Sequence, residues 1–475
     1  MKISNTLTRQ REELIPIKGK TINMYSCGVT VYDKCHIGHA RSLYIFDVIR
    51  RYLIHRGYDV RFVRNITDVD DKIIKRAQES GQSFEDVVEQ NIQAYYADLK
   101  ALHIQKADIE PRATENIGDM IRHIEKLISD GFAYESGGNV YFHIRKFPTY
   151  GQLSKQSIEY MQEAVRIDQD EQKKDPLDFA LWKTSKPGEP AWDSPWGKGR
   201  PGWHIECSCM SMRHLKTETL DIHAGGRDLI FPHHENEIAQ SEAYTGKPFA
   251  KYWIHHGLLT INGQKMAKSL GNFITVEDAL KKYSADQLKI FFLSAHYESP
   301  IDFTEKSLLE ARENLNTFKR FFKRVADLSV EEIKQTGPND HPTDKFHQQV
   351  LDALDDNFNT AKALGIIFEW MSGVHKSLDG QQANLSAAHA ASVLMEGILR
   401  DIFGLSIVED FPAEKSILEA FREDQLAPDQ AAKIEERARA KNNKDFKRAD
   451  EIRDQLKAQG IIIEDGPSGT TWRRA

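Results

Sequence analysis

The tetrapeptide His36-Ile37-Gly38-His39 sets two imidazoles around a glycine where a polar, glycine-punctuated loop meets a run of helical spacing. The amides and dipole at the start of a helix favour a bound phosphate. Imidazole donors there could stabilise charge on a phosphate in transit, and Gly38 would let a nucleotide approach the backbone. Two histidines in that place also serve as ordinary caps, so the tetrapeptide gains meaning only in company. The segment Gly263-Gln264-Lys265-Met266-Ala267-Lys268-Ser269 offers it, with two lysines three residues apart after a glycine turn. A loop of that kind closes on a polyphosphate or is simply a solvated turn.

A third group has the chemistry of a metal site. Cys27 closes an apolar strand, Cys207 follows Trp203-His204-Ile205-Glu206, and His233 and Glu237 stand four residues apart, which places them on one face of a helix. Sulfur, nitrogen and carboxylate donors of this kind suit tetrahedral Zn2+. The chain has only four cysteines, Cys27, Cys35, Cys207 and Cys209, in 475 residues, so a disulfide framework is not expected and metal binding or idle thiols remain. Cys209 follows Cys207 by two, and a strand period would put both thiols on one face.

The elements that must position these groups can be read from periodicity. Ile22 to Tyr25 reads as a buried strand leading through Cys27 and Gly28 into the loop Thr30 to Gly38. Leu43, Phe46, Ile49, Tyr52 and Leu53 recur at helical spacing up to Gly57, and Val60 to Ile66 alternates as a second strand. A strand, loop, helix, strand unit implies a parallel α/β sheet with its ligand beyond the carboxyl ends of the strands. Between about Ile117 and Pro201 short alternating pieces such as Asn139 to Ile144 mix with prolines and glycines, the mark of an insertion. The α/β rhythm resumes at Trp203, with a strand at Leu220 to Ala224, a glycine turn at Gly225 and Gly226, a helix through Glu237 and Ala243, and a strand over Gly257 to Ile261. After Pro300 the rhythm is helical with a break at Thr336 to Pro342. A last segment from Asp410 carries one charged helix over about Asp429 to Gly460.

Taken together, the histidine tetrapeptide and the lysine loop resemble the HIGH and KMSKS signatures of class I aminoacyl-tRNA synthetases, in that family's order. Met24 to Gly28, Gly202 to Ser208 and Phe231 to Glu237 resemble the zinc motifs of the bacterial cysteinyl-tRNA synthetase family, and the likeness runs on to Thr470 to Arg474. The resemblance implies an α/β fold. A Rossmann-type catalytic domain spans 1–116 and 202–256 and is split by a connective insertion at 117–201. A stem-contact region with the lysine loop lies at 257–310, a helical bundle at 311–409 and a small anticodon-binding domain at 410–475. It implies activation of L-cysteine by ATP, with Mg2+, and transfer to the terminal adenosine of tRNA-Cys. The metal ligands would be Cys27, Cys207, His233 and Glu237, holding one Zn2+ per chain. Cys207 is preferred to Cys209 because it lies inside the Trp-His-Ile-Glu-Cys match. His36, His39, Lys265 and Lys268 would be catalytic. Gly38 and Asp228 would join His36, His39 and Lys268 around ATP, and Thr67, Trp203 and His223 would line the cysteine pocket. Asp450, Asp465 and Trp472 would read the tRNA. His234 and Glu235 are expected to point elsewhere on their helix. Cys35 should be a packed thiol. Ala267 stands where the family has serine, which removes one hydroxyl from the loop.

Such an enzyme has reason to use a metal. A pocket without one distinguishes cysteine from its one-atom relative serine only ~100-fold. Zinc lowers the thiol pKa and takes the thiolate, whereas a hydroxyl is a poor ligand for a soft metal. Two rivals remain open: a ligase joining activated cysteine to a glucosamine amine, which would not need the C-terminal tail, and a non-enzymatic zinc-stabilised RNA-binding relic. The tail has basic residues from Lys433 to Lys457 interleaved with acids, a pattern that also fits a solvated, salt-bridged helix. A net charge of -7 excludes a generally basic nucleic-acid coat but not a local basic surface. With no secretory core in Met1 to Lys20 and no apolar run of membrane length, a cytoplasmic location is expected, and the resemblance implies a monomer.

Overall fold

A computed structural model describes residues 1–158, 172–328, 343–379, 385–407, 428–442, 445–459, 461–466 and 469–474. The chain divides into two compact units, Met1–Phe321 with Pro338–Val408, and Phe322–Gly337 with Glu409–Ala475.

The first unit is organised by a four-stranded parallel sheet. Its spatial order is Ala250–His256, Leu220–Gly226, Thr21–Thr30, Asp59–Thr67. The first two strands in the chain lie side by side, and the third pairs with the opposite edge of the first, Tyr25 opposite His223 and Ser26 opposite Ala224. Strand order therefore reverses between Thr21–Thr30 and Leu220–Gly226, the topological switch point where open α/β sheets bind ligands. Both strands are buried, as expected of a sheet covered on two faces. The glycine turn expected at Gly225 and Gly226 is not there. Both continue the strand, opposite His255 and His256. A Cβ on Gly225 would lie 2.5 Å from the His234 ring, so the glycine serves close packing rather than a turn.

Helix Ile37–His55 follows the first strand, as the apolar spacing requires, and Arg56 and Gly57 end it. The expected insertion contains a four-stranded antiparallel sheet, Ala133–Ser136, Asn139–Phe142, Phe179–Thr184 and Gly199–Pro201. Beyond the parallel sheet, Leu259–Ile261 pairs in parallel with Ile301–Phe303 and hairpins onto Gln264–Lys265. Helices Glu305–Ala326, Thr343–Asp355, Thr360–Leu378 and Leu385–Gly397 give the expected helical rhythm. The break at 336–342 and the start of the last segment at 410 lie outside the described residues.

In the second unit the single charged helix expected over 429–460 is two, Pro428–Asn442 and Phe446–Ala458. Asp445 caps the second by accepting from the Arg448 amide, an N-terminal signal inside the charged run. Ile452, Leu456 and Ile461 form its small core, with Ile434 and Ile463 against them, and Ile461–Gly466 pairs antiparallel with Gly469–Arg474. Among the described residues no helix is long and apolar enough to cross a membrane.

Candidate active site and metal cluster

The carboxyl end of strand Thr21–Thr30 is bent by a bulge between Ser26 and Val29. Bulges re-aim side chains, and this one turns on Cys27. Gly28 is obligatory, because a Cβ there would lie 1.5 Å from the Asn65 carbonyl oxygen. The Asn65 side chain fills the kink: its Oδ1 accepts from Gly28 N at 2.8 Å and from Tyr25 Oη at 2.9 Å. Its Nδ2 donates to Thr67 Oγ1 at 3.0 Å, and Thr67 donates to Glu206 Oε2 at 2.9 Å.

Cys207 reaches the same place from helix Trp203–Leu215, not from a strand. Two residues along a helix is a turn of about 200°, so Cys209 does not share the face of Cys207. It faces instead a cavity lined by His123 and Tyr244, where burial pushes its thiol up to about 12. The expectation of a common face fails with the strand assignment on which it stood.

His233 lies in the kinked segment Ile230–His234, and Glu237 follows in helix Glu235–Thr245. One donor atom from each of Cys27, Cys207, His233 and Glu237 lies within 4.8 Å of the others. Cys27, His223, His234 and Glu237 meet the same condition. His234 thus does not point away: its Nε2 stands 3.2 Å from Cys27 Sγ. Both consecutive histidines face the cluster just after a kink at Phe231, whose backbone is extended at φ -137° and ψ 134°. Glu235 does point away, taking the amides of Gly151, Leu153 and Ser154.

The electrostatics distinguish the four donors. Burial alone would raise the Cys207 thiol, but the Cys27 thiol hydrogen bond and the His233 charge bring it down to about 6. Burial, helped by Cys207 and Glu237, raises Cys27. Burial opposes charge on His233, yet Glu237 and Cys207 carry it up to about 10, while His223 and His233 overcome burial to hold Glu237 well below its usual value. His233 Nε2 is buried 2.9 Å from Glu237 Oε1. Its other nitrogen is held 2.8 Å from His204 Nδ1, and burial keeps His204 neutral and able to accept. That fixes the ring with Nε2 facing the other three donors, where a cation would replace the proton that Glu237 and Cys207 favour, the way an outer partner orients a metal-binding histidine. The four residues fit a tetrahedral cation with sulfur, nitrogen and oxygen donors.

Around the cluster, Trp203 stacks on His233 with centroids 4.1 Å apart and is 37% exposed, a wall open to the cleft. His223 lies behind it, Nε2 2.7 Å from Glu237 Oε2. His255, which sequence reasoning missed, holds His234 Nδ1 at 2.8 Å. Along the same cleft His36 caps helix Ile37–His55 in a reciprocal box: its Nδ1 accepts from His39 N at 3.2 Å, and His39 Nδ1 accepts from His36 N at 3.4 Å. The rings stack at 3.6 Å. Burial lowers His36 to about 4 and His39 well below its usual value, so both are neutral near pH 7. With each Nδ1 accepting, the remaining proton is on Nε2, a free donor. Gly38 lies under Met266 of the lysine loop, where a Cβ would come within 3.4 Å of the methionine methyl.

Lys268 forms an ion pair with Asp33 and lies 5.1 Å from the Phe273 ring centroid. Lys265 is exposed on the short hairpin strand. Ala267 keeps its amide bonded to Asn272 Oδ1 at 2.8 Å, so the missing hydroxyl leaves the loop backbone tied. Asp228 is exposed in the turn after Leu220–Gly226, near enough to His36 to act on its charge. Buried Arg41 donates to four carbonyls, Gly257, Leu258, Tyr297 and Ser299, and so binds the histidine-bearing helix to the root of the lysine hairpin. Cys35 is buried, and burial raises its thiol. In the second unit Asp450 pairs with Arg453 at 3.3 Å, and Arg448 bridges Glu436 and Glu451, so part of the charged run is the salt-bridged surface that its pattern allows. Trp472 and Asp465 lie on the terminal hairpin, opposite Ile463 and Thr470, and their side chains fall outside the described residues.

Comparison with known proteins identifies the family. Residues 13–313 match the class I (C) tRNA synthetase catalytic domain, 349–407 the DALR domain and 423–473 the cysteinyl-tRNA ligase anticodon binding domain. The cysteine–tRNA ligase of Thermodesulfovibrio yellowstonii is 48% identical over 100% of this chain and 99% of its own length. That of Geobacter metallireducens is 47% identical over the same shares. The fold is also that of the Mycobacterium tuberculosis methionyl-tRNA synthetase in complex with methionyl-adenylate, at a TM-score of 0.62 and 16% identity over 87% of this chain and 95% of that one. The anticodon-domain match removes the glucosamine ligase, and full-length likeness to ligases removes the relic. The chain belongs to the cysteine–tRNA ligases, class I aminoacyl-tRNA synthetases that join L-cysteine to tRNA with ATP.

Proposed function

We propose that Cys27, Cys207, His233 and Glu237 hold one Zn2+ that selects the substrate by its thiol. The observation that carries this is the convergence of the buried His233 Nε2, two sulfurs and a carboxylate oxygen within 4.8 Å of one another. Bound zinc would supply a Lewis acid that favours thiolate over hydroxyl. The second quartet offers one sulfur where the first offers two, and thiolates are the donors that suit Zn2+ best.

The chain's own residues do the rest. Trp203 walls the pocket beside His233, Thr67 anchors its floor through Glu206, and His223 steadies Glu237. The cysteine carboxylate attacks the α-phosphorus of ATP, accompanied by Mg2+, and pyrophosphate leaves. The Nε2–H groups of His36 and His39 donate to the phosphate as charge develops, Gly38 gives the nucleotide room, and Asp228 faces its ribose side. Lys268 exchanges Asp33 for the departing pyrophosphate, with Lys265 beside it. Positioning and charge neutralisation dominate such transfers, and no covalent enzyme intermediate is required. The 2′-hydroxyl of the terminal adenosine of tRNA-Cys then attacks the adenylate carbonyl and AMP leaves, while Asp450, Asp465 and Trp472 engage the anticodon. We assign the domain limits given by the sequence to these roles and a cytoplasmic, monomeric enzyme. Metal analysis with cysteine-dependent ATP–pyrophosphate exchange tests the proposal: one equivalent of zinc whose removal abolishes exchange supports it, and undiminished exchange without metal overturns it.

A further inference from the structure

A second polar cavity, of about 520 Å3, opens between the N-terminal hairpin and the turn that follows strand Leu220–Gly226, and its wall includes Thr6, Arg9, Arg11, Ser154, Arg227 and His255. Three of these are or carry guanidinium groups with few anions to meet. The one carboxylate on the wall, Glu298, already accepts from Asn357 Nδ2 at 2.9 Å and from Ser4 Oγ at 3.4 Å. Arg11 is paired with Asp356, but Arg9 meets only the Ser154 carbonyl, at 3.5 Å, and Arg227 is exposed with no ion-pair partner among the described residues. Burial keeps His255 uncharged.

Arg9 also stands at φ 58°, in the left-handed region, where a hairpin would ordinarily use glycine or asparagine. A side chain kept there against steric preference points to a use for the guanidinium. The cavity is larger than a lone phosphate needs and within the range of ligand sites. Its wall borders the catalytic cleft, since Arg227 directly precedes Asp228 and His255 is bonded to His234.

We propose that this cavity takes the backbone phosphates of the single-stranded 3′ end of tRNA, Arg9 and Arg227 meeting them as the terminal adenosine enters the cleft. The inference rests on the reading that the cleft beside His36 and Trp203 is where cysteine is activated and transferred.

Arg9→Gly tests it in the full-length, metal-loaded enzyme, because this change removes the guanidinium while relieving the backbone, so the fold is kept. Cysteine-dependent pyrophosphate exchange should match the parent. The KM for tRNA-Cys should rise severalfold, and the slope of log kcat/KM against log salt should fall by about 0.7 for one lost phosphate contact on a single strand. Arg9→Lys should restore most of both. A tRNA trimmed of its single-stranded 3′ end should bind parent and variant alike. Unchanged KM and salt slope overturn the proposal, as does a difference that persists with trimmed tRNA. A raised KM for pyrophosphate in exchange also overturns it and gives the cavity to the free anion. Loss of exchange in the parent after Trp203→Ala or His36→Ala is the separate check on the cleft, so failure there is not confused with failure here.

Discussion

Asn65 lies outside the expected ligand set, yet it decides where Cys27 points, and Asn65→Ala is therefore an informative change. The substitution leaves the Gly28 amide and the Tyr25 hydroxyl without their acceptor, both inside the sheet, and removes the Thr67 contact. Each buried donor left unpaired costs about 1–3 kcal/mol. Two of them give a loss of about 2–6 kcal/mol, concentrated at the bulge rather than spread over the unit. Because the bulge aims Cys27, metal affinity should fall as well, by the ~10- to 100-fold typical when an orienting partner is lost. Competition with a chromophoric chelator measures affinity, and thermal unfolding with and without excess zinc measures stability. Excess metal should recover part of the stability by mass action. A variant that binds metal as tightly as the parent and unfolds at the same temperature would refute the reasoning that the bulge, through Asn65, sets the cysteine.

Cys207→Ser should release the metal and abolish exchange, whereas Cys209→Ser, altering a thiol on another face of the helix, should retain a full equivalent; metal analysis of the two proteins reads the difference. Lys268→Ala should slow adenylate formation by ~100-fold or more while ATP binding changes little, since its charge meets the pyrophosphate chiefly in the transition state. Rapid-quench kinetics showing an unchanged chemical step and only weaker ATP binding would contradict that role. Stability should fall as pH drops from about 6.5 to 4. His36, His123 and His256 are each lowered by burial to about 4, so in that window the unfolded chain binds protons that the folded one refuses. His233, raised to about 10, works in the opposite direction above its unfolded value, and urea unfolding between pH 4 and 8 gives the net slope.

Much of this architecture is legible in the chain because local signals and tertiary need agree. The apolar alternation of Val60 to Ile66 and the helical spacing from Leu43 to Leu53 name their elements, and Cys27, Cys207, His233 and Glu237 carry donor types that few other functions require. The segment around Cys207 was misleading. It is buried on nearly every side from Ile205 to Ser211, so the helix shows no one-sided polar face and its few alternating residues read as a strand. Gly225 reads as a turn because the close approach of the His234 ring, from the segment that follows the strand, exists only once the chain has folded back over it. His234 itself gives no signal, because the kink at Phe231 that precedes it breaks the regular helical period from which its direction would be read. Asn65 gave no signal, because a buried amide filling a bulge is a tertiary event.

The central claim is that a metal held by Cys27, Cys207, His233 and Glu237 takes the substrate thiol. The most direct test replaces the metal with Co2+ and follows the visible and near-ultraviolet spectrum on adding amino acid. L-Cysteine should intensify the sulfur-to-cobalt charge-transfer band as a third thiolate joins the two from the protein, and equimolar L-serine should leave the spectrum unchanged. An unaltered spectrum on saturating cysteine, or the same change with serine, would contradict the account.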